Sequence, residues 1–107
     1  MVDETELESR DELRHRAGAT FSANLKRLRE ASGLSQENLS LRATLVRSHV
    51  GKIEKEQLMP EIDTIYRLAG ALGVEPRELL GDFYWRPDDK DGDGYVTSEP
   101  PKKAYKA

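Results

Sequence analysis

The 107-residue chain contains no cysteine, two histidines (His15 and His49), one tryptophan and five prolines. Without cysteine there can be no disulfide, no thiolate metal site and no cysteine nucleophile. Two histidines leave little from which to build a zinc site or a histidine-based triad. No Ser/His/Asp set and no Gly-rich phosphate loop stands out either. Apolar residues make up 36% and charged residues 35%, with a mean hydropathy of -0.74. No run approaches the roughly 18 consecutive apolar residues of a membrane span. The opening Met-Val-Asp-Glu-Thr-Glu is acidic and lacks an apolar h-region, so no secretory signal is expected. The expectation is a soluble, cytoplasmic chain with no enzyme activity, no cofactor and no membrane association. Its length is that of one domain, commonly about 100–150 residues.

The net charge of -3 is unevenly distributed. Residues 1–20 carry six acids against three bases, and residues 56–81 carry five acids against two bases. Residues 21–55 reverse the sign, with seven bases (Lys26, Arg27, Arg29, Arg42, Arg47, Lys52, Lys55) against three acids. Exposed charges more than about 10 Å apart are largely screened at 0.1 M salt, so a local basic block can meet a polyanion although the whole chain is acidic.

The first ten residues read as a solvated tail. Ser9-Arg10-Asp11-Glu12 reads as a capping box, with Ser9 as N-cap and Glu12 at N3. Leu13, Ala17 and Phe21 follow on one helical face, and Gly18 leaves open whether this helix bends or merges with the next. Phe21, Leu25 and Leu28 share a face of a first helix that Gly33 terminates. Ser35 caps a second helix, Gln36–Ala43, and Thr44-Leu45-Val46 makes a short turn. A third helix, about Arg47–Lys55, turns Val50 and Ile53 inward. Ile62, Ile65, Leu68, Ala69 and Leu72 form the apolar stripe of a fourth helix ended by Gly73, and Pro76 opens a short fifth ending at Gly81. The pattern predicts an all-α five-helix bundle with an extra N-terminal helical segment. Phe83-Tyr84-Trp85-Arg86 and Gly94-Tyr95-Val96-Thr97-Ser98 are β-favouring runs around a turn-rich segment, which predicts a short C-terminal β-hairpin. The expected organisation is a tail and helix over 1–20, a bundle over 21–81, a hairpin over 82–99 and a basic tail over 100–107.

Residues 21–81 resemble the phage repressor/Cro-type (XRE) helix-turn-helix domain. The resemblance rests on Leu25-Lys26-Arg27-Leu28-Arg29, Gly33-Leu34-Ser35-Gln36, Leu39, Ile53-Glu54, Pro60, Leu68-Ala69-Gly70-Ala71-Leu72-Gly73-Val74 and Leu79-Leu80 in joint order and spacing. It implies a repressor-like bundle whose third helix lies in the DNA major groove while the second crosses the backbone. Val50 and Ile53 are needed for the core, so Arg47, Ser48, Gly51 and Lys52 lie on the opposite face, where the family reads base edges. Arg47 leads, because its fork can pair bidentately with guanine O6 and N7. Lys52 can do the same or contact phosphate. Gln36 matches the family's phosphate-clamping glutamine, and His49 and Lys55 are further candidates for DNA contact. Arg29 and Glu54 match a pair that forms a buried structural ion pair in the family. Three positions depart from the pattern: Thr44 where glycine is common, Val46 at the usual Ser or Thr N-cap, and Glu56 at a common glycine.

Asp89-Lys90-Asp91-Gly92-Asp93-Gly94-Tyr95-Val96-Thr97 is similar to the start of a calcium-binding EF-hand loop. Position 12 requires a bidentate Glu and is here Pro100, so the segment reads as a hairpin turn and no metal site is expected. Phe83, Tyr84 and Trp85 cannot all face one side of a strand, and they are read as a homodimer interface. The function expected is a sequence-specific transcriptional regulator, a repressor binding a palindromic operator in double-stranded DNA as a dimer. Two alternatives remain. One is an antitoxin or accessory protein that uses the fold mainly to bind a protein partner, and the other is a regulator sensing calcium through the Asp cluster.

Overall fold

The computed structural model describes residues 4–87 and 94–104, with side chains placed from residue 12 onward except that of Tyr95. Five helices and a hairpin follow in order: α1 Glu4–Ala31, α2 Gln36–Arg42, α3 His49–Glu54, α4 Ile62–Leu72, α5 Pro76–Leu80, β1 Tyr84–Arg86 and β2 Tyr95–Thr97. The chain divides into two compact units, one of residues 17–81 and one drawn from the residues on either side.

The expected tail and Ser9 cap are corrected by α1, one 28-residue helix that is already formed at Glu4 and passes through Ser9 and Gly18 without a break. Glu, Leu and Arg dominate residues 4–16 and are good helix formers, and propagation costs far less than nucleation. At Gly18, which α1 passes through unbroken, an added Cβ would lie 3.3 Å from Met59 Cε, the far end of a flexible side chain. Gly33 and Gly73, at φ +72 and +71, take the left-handed conformation that ends α1 and α4.

In the unit of residues 17–81, Phe21, Leu25, Leu39, Ala43, Val50, Ile53, Leu68, Ala69 and Leu79 form one buried cluster, with Leu28, Leu34, Leu45, Ile65, Leu72 and Val74 packed against it. Each large aliphatic side chain buried in this way contributes roughly 1.5–3 kcal/mol. Ile62 was expected in the α4 stripe but is 75% exposed, and Thr64 is buried in its place. The inward face of α4 is set by Thr64, Leu68 and Ala69, and Ile62 falls one turn before Tyr66 on the other side of the helix. At the start of α5, the Glu75 N–H donates to the Glu78 carboxylate at 2.9 Å, and Pro76 occupies the first helical turn.

In the other unit β1 and β2 pair antiparallel, with Tyr84 opposite Thr97, Trp85 opposite Val96 and Arg86 opposite Tyr95. Arg86 and Glu99 form an ion pair at 3.1 Å. The Arg16 guanidinium lies 5.6 Å from the centroid of the Phe83 ring. The Trp85 ring lies against the backbone of Gly94, whose φ is +70. The aspartates of the EF-hand-like segment, Asp89, Asp91 and Asp93, lie outside the described residues.

Candidate nucleic-acid interface

α2 and α3 are short, of seven and six residues, and neither would persist alone in water. Tertiary contacts hold both. Leu39 on α2 and Val50 and Ile53 on α3 are at most 1% exposed, which fixes which side of each helix faces inward. Ser35 caps α2 by accepting the Asn38 N–H at 3.0 Å.

The start of α3 is built differently from the sequence expectation. The helix begins at His49 rather than Arg47, and Ser48, at its N-cap, makes no side-chain capping bond. Val46, noted for its missing hydroxyl, stands further upstream and is 68% exposed. The cap comes from α2 instead: the buried Ser40 hydroxyl accepts the Val50 N–H and donates to the Gln36 carbonyl, both at 3.0 Å. At the other end, Ser22 of α1 donates to the Ile53 carbonyl at 2.6 Å. Two serines from neighbouring helices thus satisfy backbone groups that a short helix leaves open at its ends. Neither was singled out from the sequence. A small polar residue beside the core positions Phe21 and Leu39 was the signal available.

Arg29 and Glu54 form a bidentate pair at 2.7 and 2.9 Å that joins α1 to the end of α3, with side-chain exposures of 12% and 3%. Arg29 also donates to the Leu34 carbonyl at 3.0 Å. The hydrogen bond to Glu54 raises the Arg29 pKa, outweighing desolvation, so the guanidinium is held firmly charged. Gln36 Nε2 donates to Glu54 at 3.3 Å. Gly51 leaves room for this amide, since a Cβ there would lie 3.1 Å from Gln36 Oε1. Gln36 is therefore positioned by the same carboxylate that holds Arg29.

Arg47 and Ser48 stand exposed in the turn just before α3, and Lys52 and Lys55 are exposed along and after it. His49 is half-buried. Arg47 lies 3.4 Å from Glu37 in the first turn of α2, and with both side chains more than half exposed this pair is worth little, about 0–1 kcal/mol. Two bases of the basic block have structural tasks: Arg29 as above, and Arg42, whose Nε donates to the Ala71 carbonyl at 2.7 Å. Lys26, Arg27, Arg47, Lys52 and Lys55 remain exposed around the α2–α3 pair in sequence. Thr44 and Glu56 both adopt positive φ, +60 and +59, the left-handed region that glycine would occupy without strain.

Comparison with known proteins gives a consistent result. The family model described as helix-turn-helix matches residues 25–79, just over half of the chain. The immunity repressor protein of Bacillus phage phi105 is 32% identical over 63 residues, covering 59% of this chain and 44% of the repressor, so the chain spans less than half of that relative. Control protein C.BamHI of Bacillus amyloliquefaciens is 33% identical over 61 residues, covering 56% of this chain and 75% of its own. The crystal structure of the restriction-modification controller protein C.AhdI from Aeromonas hydrophila superposes with a TM-score of 0.56 at 45% identity, covering 58% of this chain and 94% of that one. No helix among the described residues is long and apolar enough to cross a membrane. With its two short helices held against a common core and the family match spanning all of α2, α3 and α4, this chain belongs to the repressor/Cro-type helix-turn-helix family.

Proposed function

We propose that this chain is a sequence-specific DNA-binding transcriptional regulator, a repressor that acts in the cytoplasm by occupying a palindromic operator as a dimer, without catalysis. The observation that carries the reading is the two-sided character of α3. Val50 and Ile53 lock one side into the core, while Arg47, Ser48 and Lys52 stand exposed on or beside the other. Arg47 is assigned to base readout, where a bidentate contact to guanine is worth about 1–3 kcal/mol of discrimination. Lys52 and Ser48 flank it. Gln36, His49 and Lys55 are assigned to the phosphates on either side of the groove. The Arg47–Glu37 pair is weak enough to yield to a base, and Gln36 keeps a second amide hydrogen for a phosphate beyond the one used by Glu54. A single α3 reads few base pairs, so two half-sites about one turn of DNA apart require a dimer. Phe83, Tyr84 and Trp85 are the candidate dimer contacts, with Trp85 still 44% exposed.

Selection of bound duplexes from a random library tests the reading, with an Arg47→Ala/Lys52→Ala double variant run in parallel. Enrichment of an inverted repeat by the wild type and its loss in the variant is the expected result. A folded wild type that enriches nothing refutes DNA regulation and directs the search to a protein partner.

A further inference from the structure

Between Leu45, which packs against the core, and Arg47, the exposed candidate for base readout, stands Val46, an apolar side chain that is 68% exposed. Its backbone is fixed on both sides. The Leu45 N–H donates to the Ser40 carbonyl at 2.8 Å, and the Val46 carbonyl accepts the His49 N–H at 3.0 Å. The side chain belongs neither to the buried cluster nor to the residues packed against it. The capping expected of a hydroxyl at this place is done from α2, where Ser40 accepts the Val50 N–H. Position 46 is thereby released from both structural tasks, yet it carries a β-branched apolar group beside Arg47. Such a side chain has few rotamers, so it loses little freedom when pressed against a surface. It can neither donate nor accept a hydrogen bond. In the major groove it is therefore matched to the C5-methyl group of thymine and to none of the polar base edges.

We infer that Val46 is a specificity-determining residue, which packs on the C5-methyl group of a thymine beside the guanine assigned to Arg47. The inference rests on the DNA-binding reading above and deepens it, adding one group read by apolar contact to those read by hydrogen bonds. Burying a group the size of one CH2 is worth about fourfold in affinity. Cytosine methylated at C5 presents the same methyl group in the groove, so Val46 also distinguishes a methylated cytosine at that position from an unmethylated one.

The test uses the full chain and the duplexes that the wild type selects from a random library. Each thymine is replaced in turn by deoxyuridine, which removes the methyl group and leaves the hydrogen-bonding edge unchanged. At one thymine per half-site, next to the position whose base preference Arg47→Ala relaxes, the replacement is expected to weaken wild-type binding about fourfold. Val46→Ser, an exposed substitution whose folding circular dichroism checks, binds the thymine and deoxyuridine duplexes alike. With cytosine at that position, C5 methylation strengthens wild-type binding by about the same factor and leaves Val46→Ser unaffected. A selected site in which every thymine tolerates deoxyuridine, or which has no thymine beside that guanine, overturns the inference and leaves the regulator reading standing. So does a methyl effect that persists in Val46→Ser. A wild type that selects no sequence refutes the regulator reading itself, and the inference falls with it.

Discussion

Ser40→Ala isolates the contribution of a single hydroxyl to the DNA-facing helix. The substitution removes one oxygen from a fully buried side chain and leaves the Cβ, so packing around Leu39 and Val50 changes little. What changes is the Val50 N–H, a buried donor at the open end of α3, which loses the acceptor that the hydroxyl provides at 3.0 Å. Leaving a buried donor unsatisfied costs about 1–3 kcal/mol. In a domain of 60–100 residues each kcal/mol moves the melting temperature by about 4–8 °C, so the expected fall is about 4–24 °C. Ser48→Ala is the matched control. Ser48 occupies the N-cap position but makes no capping bond, and its removal should stay within about 0.5 kcal/mol of wild type. Thermal and urea denaturation of both variants decide the matter. Equal stability of the two, or a larger loss for Ser48→Ala, would refute the assignment of the cap to Ser40.

Arg29→Ala should destabilise by about 3–5 kcal/mol, because it strands a Glu54 carboxylate that is only 3% exposed; urea unfolding measures this, and any loss of DNA binding should track unfolding. Thr44→Gly and Glu56→Gly should each stabilise, by up to about 1 kcal/mol, since relief of a left-handed conformation worth about 1–2 kcal/mol exceeds the added chain entropy; a melting temperature that falls in both would contradict the strain argument. Lys55→Ala, if the ammonium meets a phosphate, should weaken binding to all sequences alike and reduce the slope of log K against log salt by about 1, read from titrations at several salt concentrations.

The sequence alone determined the element order and most helix ends. Ser35, Gly33, Gly73 and Pro76 act locally, through one residue's hydroxyl, ring or missing side chain, so their effects are readable without knowing the fold. Thr44 and Glu56 were legible as departures from a pattern that has glycine there, and the structure shows that both take positive φ. The alternation of Val50 and Ile53 with Arg47, Ser48 and Lys52 likewise showed which side of α3 is buried.

Tertiary structure decided what depends on residues far apart in sequence. Ser22 meets Ile53 across 31 positions and Ser40 meets Val50 across ten, so no local rule identifies either as the group that completes α3. Local rules placed a cap at Ser9, whereas α1 runs straight through that position. They also placed Ile62 in the core, because periodicity gives the existence of a stripe and leaves its edge to the neighbours that cover it. Arg42 was read as one more base of the basic block, and it is bonded to the end of α4. Charge in a sequence shows how much is present; only the packed chain shows which guanidinium has already found a carbonyl and which remains exposed to meet a nucleic acid.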